Sequence, residues 1–177
     1  MPYIIALLGI LAGAYFWIIR ARAAADAARD LTGVAQDVMA AARRFGFRRR
    51  YNEHPVESLE EPDVAIAGAG IAFLELGGLP TSEQHDRLIA SLQSHLGQNQ
   101  GKAEEAVILG RWLITECGGA QPGLARLVRR LYKLRGADSF QPLMAVLKDV
   151  SASARDSAIS TRQREALEEI ARLYRIT

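Results

Sequence analysis

With 177 residues, a net charge of +2 and 24% charged side chains, the chain is long enough for one folded domain and too balanced in charge to be disordered or to bind nucleic acid through bulk charge. Its single cysteine, Cys117, excludes an internal disulfide and suits a reducing cytosol.

Positions 1–19 carry no charged side chain, and Arg20 and Arg22 follow at once. At 1.5 Å per residue, the apolar run from Tyr3 to Ile19 covers about 26 Å, close to a hydrocarbon core of about 30 Å and within the lengths that span it, which predicts a single transmembrane helix. A cleaved signal peptide is the other reading, since Ala23 and Ala25 offer an A-x-A site. However, no basic n-region precedes the run, and Arg20 and Arg22 stand between it and that site. The basic residues near the run all follow it, so the positive-inside rule puts the N-terminus outside and the remainder in the cytoplasm. Gly9 and Gly13 form a G-x-x-x-G pair that lets two helix backbones approach closely.

Residues 20–50 read as a helical stalk rich in alanine, the best helix former. Ala24, Ala28, Leu31, Ala35, Val38, Ala42 and Phe45 advance in alternating steps of four and three, which is a heptad seam. Seam and glycine pair together predict helix association, with a second copy or with another membrane protein. The plainer reading is that alanine-rich helices produce such spacings by chance. Gly46 ends the stalk helix, and its basic end, Arg43 to Tyr51, interleaves arginines with aromatics. An upright stalk holds this cluster about 38 Å from Ile19, far beyond a Debye length of about 8 Å. Contact with protein, including the chain's own acidic stretch, is therefore expected ahead of contact with lipid or RNA. That stretch, 51–63, carries Pro55, Pro62, Glu53, Glu57, Glu60 and Glu61 and reads as a linker.

From 64 to 177 the pattern is helical throughout and predicts an all-α domain of six helices, over 64–76, 81–96, 102–117, 122–135, 139–153 and 160–174. The first is apolar with small residues (Ala65, Ala67, Gly68, Ala69, Gly70), as a central helix closely approached by its neighbours requires. The second opens with the capping box Thr81-x-x-Gln84 and sets Leu88, Leu92 and Leu96 on one face. The third aligns Ala106, Leu109, Leu113 and Cys117 and closes at Gly118 and Gly119. The fourth starts at Pro122 and is amphipathic, with Leu124, Leu127, Val128, Leu131 and Leu134 opposite Arg126, Arg129, Arg130 and Lys133. That cationic stripe is a candidate surface for an acidic protein or anionic lipid, although a merely solvated face has the same pattern. The sixth helix opens with a second capping box, Ser160-x-x-Gln163.

No catalytic constellation emerges, and neither enzymatic activity, a cofactor nor a small-molecule substrate is expected. His85 and His95 share a helix but lack the i, i+4 spacing of a metal pair. Cys117 lies on an apolar face with no base in view. Gly68-x-Gly70 follows no strand, so it is no dinucleotide fingerprint.

Two capped loops, each following a helix in an all-α domain behind an N-terminal anchor, resemble the TerB-like family (tellurite resistance TerB). The arrangement is also similar to the cytoplasmic beginning of the membrane-anchored DnaJ-like protein DjlA. The family's loop reads Asp-Gly-x-hydrophobic-Ser/Thr-x-x-Glu. In the second loop here Asp156, Ile159 and Ser160 fit, while Ser157 replaces the Gly and Gln163 the Glu. In the first, Gly78 and Thr81 fit, while Gly77, Pro80 and Gln84 depart. The resemblance implies candidate metal ligands at the acidic positions. Only Asp156 survives of these, and one carboxylate is a poor cage for a hard cation. A J domain needs a His-Pro-Asp loop, whereas His54-Pro55 is followed by Val56.

The expectation is therefore a single-pass protein of the bacterial inner membrane, a non-catalytic adaptor that docks proteins through its cytoplasmic domain. The resemblance adds a link to envelope or metal stress. The rivals are an accessory or assembly subunit of a larger membrane complex and a metal-responsive regulator.

Overall fold

The computed structural model describes residues 35–48, 52–152 and 159–175. Contacts divide the chain into Met1–Asp37 and Val38–Thr177, and the architecture described here is that of the second unit. The expected span 3–19 with Gly9 and Gly13, the stalk up to residue 34, and Asp156 all lie outside the described residues. Among the described residues no helix is long and apolar enough to cross a membrane.

The architecture is all-α. Helical residues 35–44 (α1) lead through a turn at Phe45 and Gly46 and a 3₁₀ turn, Pro55–Ser58, into six helices. These are α2 (Pro62–Gly77), α3 (Ser82–Leu96), α4 (Gln100–Glu116), α5 (Ala120–Arg135), α6 (Phe140–Ala152) and α7 (Thr161–Arg175), with a second 3₁₀ turn, Gly136–Ser139, before α6. Helix α2 is apolar all round because it is surrounded: α3, α4, α5, α6 and α7 all pack on it, and residues from Val64 to Leu74 are buried. Pro62 at its first turn and Asp63 beside it favour the start. Helices α3 to α6 bury Leu88, Leu92, Leu109, Leu113, Leu127, Leu131, Leu143 and Leu147 in the core around it.

Local chemistry places the boundaries. Asn99 accepts the Lys102 N–H at 2.9 Å and starts α4 at Gln100, earlier than the apolar pattern alone indicates. Gly97 ends α3 in the left-handed region at φ 64°, where a side chain is disfavoured. Helix α5 begins at Ala120, so Pro122 sits inside the first turn, where its missing N–H costs nothing.

Helices α2 and α4 cross at glycine. A Cβ on Gly110 would stand 2.7 Å from both Cα and N of Gly68, so the two backbones touch.

The stalk end and the linker take part in the core. Ala41 and Phe45 are buried, with Val38 and Ala42 packed beside them, so the last seam positions are covered within this chain. Arg44 pairs with Glu105 at 2.7 Å, and Phe47 meets Trp112 edge-on at 5.7 Å between centroids. In the linker, Val56 and Leu59 are buried, and His54 closes the 3₁₀ turn. Its Nδ1 accepts the Val56 N–H at 3.3 Å, so Nε2 carries the proton that goes to the Glu116 carbonyl at 3.2 Å.

Candidate functional site

A groove of about 550 Å³ runs between α5 and α7 and ends against Leu76 of α2. Leu124, Val128, Ala166, Ile170 and Leu173 form its apolar floor. Ala125 and Ala166 keep it deep, because neither helix offers a large side chain there. Arg129, Arg162, Glu165, Glu169 and Arg172, with the neutral amide of Gln121, make a polar, mostly charged rim. Arg129 reaches across to Glu169 at 3.8 Å, with both side chains more than half exposed. Such a pair contributes at most about 1 kcal/mol and parts easily. A concave apolar floor with a few polar groups at the edge is the usual form of a binding site.

The structure distributes the predicted cationic stripe among different tasks. Arg130 Nε donates to the Leu59 carbonyl at 2.7 Å, and Lys133 pairs with Glu57 at 3.4 Å, so both fasten the linker to α5. Arg126 is half-buried near Cys117, and only Arg129 lines the groove. The acidic linker thus packs against these α5 cations as well as following the Arg43–Tyr51 cluster in sequence. Burial pushes the Cys117 thiol up; Arg126 opposes this, while Glu116 and Glu57 add to it. A thiol held protonated is a weak nucleophile.

Both capping boxes form. Thr81 and Gln84 exchange bonds of 3.0 and 3.2 Å, and Ser160 and Gln163 do the same. The second box also reaches into the core: the Ser160 hydroxyl donates to the Leu76 carbonyl at 3.2 Å, and Gln163 Nε2 donates to the Phe73 carbonyl at 2.9 Å. The Leu76 carbonyl is one of the last four of α2, which lack helical partners, and the Phe73 carbonyl lies one residue before them. Gln163 is therefore a bracket that holds α7, one wall of the groove, on α2. A glutamate there would supply no donor.

Sequence reasoning missed a cluster between α3 and α6. Ser91 Oγ and His95 Nε2 both donate to Oδ2 of Asp149, at 2.8 and 2.9 Å. The residue types resemble a hydrolytic triad but the order is wrong, because the serine faces the acid and has no base on it. Burial pushes the Asp149 carboxyl up, but the bonds from His95 and Ser91 and the charges of His95 and Arg87 outweigh it and hold it below the usual carboxylate range. A depressed carboxylate adds stability above its unfolded value, about 3.9, and loses it as pH falls through the folded one. Replacing Asp149 by asparagine should therefore cost about 1 kcal/mol at neutral pH, limited by the exposure of the site to water. In urea titrations the difference from the unaltered chain should begin to shrink below about pH 4 and close only as pH falls through the lower folded-state value. A difference constant with pH would mean that the carboxylate's charge is irrelevant there.

Among the described residues no group of three or more His, Cys, Asp or Glu side chains is placed to hold a metal. Compared with family models, curated proteins and solved structures, the chain finds no match. The groove went unread because it is formed by two helices distant in sequence. Its one local signal was the recurrence of Arg162, Glu165, Glu169 and Arg172 at three- and four-residue steps on α7.

Proposed function

We propose that the chain is a non-catalytic adaptor, anchored in the bacterial inner membrane by residues 3–19, whose cytoplasmic helical domain docks a protein segment in the α5–α7 groove. The observation that carries this reading is the groove itself: a concave apolar floor between α5 and α7, bounded by charge. The uncharged run followed by arginines supports the anchor and its orientation. Deprived of a base at Ser91 and of thiolate character at Cys117, the nucleophiles in hand favour binding over chemistry. The two capped loops support a TerB-like ancestry in which binding has outlived metal ligation. Gln163 now serves as a bracket, a role that gives a metal-responsive regulator no support.

The test is photo-crosslinking in intact membranes. A photoreactive residue replacing Gln121, on the groove rim, should yield a discrete product with another protein; the same residue replacing Lys148, exposed on α6, should not. Filling the groove with Ala125→Trp should abolish the product. Equal products from both positions, or a product indifferent to the filled groove, would remove the groove from the function.

A further inference from the structure

We infer that the occupant of the α5–α7 groove is an amphipathic α-helix of a partner protein, with acidic residues where it passes Arg162 and Arg172. This rests on the adaptor reading above and adds the chemistry of the partner.

The lining fixes the kind of ligand. On α5 the groove residues run from Gln121 to Arg129, and on α7 from Arg162 to Leu173, each set confined to one face of its helix. At 1.5 Å per residue the walls run about 12 and 16 Å, or two to three turns. Between their end turns both walls have their backbone groups bonded along their own axes, so the middle of the floor offers no free N–H or C=O to a ligand. An extended peptide laid on this floor would lose water from its backbone and find no partner, which costs on the order of 1–3 kcal/mol per group. A helix satisfies its backbone internally and presents apolar residues at i, i+3 or i+4, and i+7 to match the floor.

The rim fixes the charge. Along α7 it reads Arg162, Glu165, Glu169, Arg172, and Glu169 is already engaged by Arg129. Arg172 spends its Nε on the Glu168 carbonyl at 3.4 Å, and among the described residues neither it nor Arg162 meets a carboxylate. These two cations lie about 15 Å apart along the helix, close to three turns. A single anionic headgroup cannot serve both, and it would also meet Glu165. A helix can carry acids at its flanks and a base or neutral residue between them.

The experiment uses the full chain in mild detergent, with protein-free detergent as the blank, and follows fluorescence anisotropy of labelled peptides. The probe is an amphipathic peptide of about five helical turns, with leucines at i, i+3 and i+7 and glutamates at the flanks. Its twins carry lysines at the flanks or a central proline. The glutamate peptide should bind about ten-fold more tightly than the lysine twin, the ratio expected when two partly exposed ion pairs turn to repulsion. The proline twin should lose binding. The double variant Arg162→Glu with Arg172→Glu should invert the preference, and that gain of lysine-peptide binding also proves the variant folded. Equal binding of both flank types, an unchanged preference in the double variant, or binding of the proline twin overturns the inference. So does the absence of binding, or association only with phosphatidylglycerol vesicles. In each case a groove-dependent crosslink from Gln121 would leave the docking role standing, so the two failures can be told apart.

Discussion

Gly110→Ala is expected to destabilise the domain by about 2 kcal/mol or more, although alanine is the better helix former by about 1 kcal/mol. The added methyl would lie 2.7 Å from two backbone atoms of Gly68, while carbon atoms rest comfortably at about 3.5–4.0 Å. Backbone cannot swing aside as a rotamer can, so α4 must move off α2, the helix on which the rest of the core is packed. Gly68→Ala should cost less, because its worst contact, at 2.8 Å, is the mobile end of Leu127. Gly101→Ala should be neutral or slightly stabilising, since nothing lies closer than 3.6 Å there. The order can be read in urea titrations followed by the fluorescence of Trp112, in a Trp17→Phe background. If Gly110→Ala proved as harmless as Gly101→Ala, the close crossing of α2 and α4 would be wrong.

Gln163→Glu should cost about 2–4 kcal/mol at neutral pH, more than its near-identical shape suggests. The native amide accepts from Ser160 and donates to Phe73, in a position only 9% exposed. The introduced carboxylate keeps the first bond and sets a negative oxygen against the Phe73 carbonyl in place of the second. Burial and that carbonyl both raise the folded-state pKa above the unfolded value of about 4.3. A raised acid is most favourable below its unfolded value and loses that stability as pH climbs through the folded one. The defect should therefore shrink on acidification toward pH 4–5, as the protonated carboxyl recovers a donor. Gln163→Ala should be destabilised at every pH. A Gln163→Glu defect independent of pH would deny the contact with Phe73.

Much of this was legible in the chain itself. The apolar faces at Leu88 and Leu92, or at Leu124, Leu127, Val128 and Leu131, repeat with the helical period and point inward as written. Capping boxes are local in sequence, so Thr81–Gln84 and Ser160–Gln163 could be read directly. The outward reach of the second box could not: the Phe73 carbonyl is brought to Gln163 by folding, and no pattern within either segment announces it. The same holds for Asp149, which meets Ser91 and His95 across two helices. The cationic stripe was readable as a stripe, but what each cation does depends on the segment lying over it. Leu59 and Glu57 claim Arg130 and Lys133, and Glu169 claims Arg129.

The stretch from Ala41 to Leu59 looks, by composition, like spacer. Yet it hides Ala41, Phe45, Val56 and Leu59 from water and hooks onto α4 and α5 through Arg44, His54 and Leu59. The edge of the folding unit is thus set by what is covered, and it falls well ahead of α2. A truncation that respects only helices α2 to α7 would strip a clasp from the globule and lay open the apolar seats beneath it.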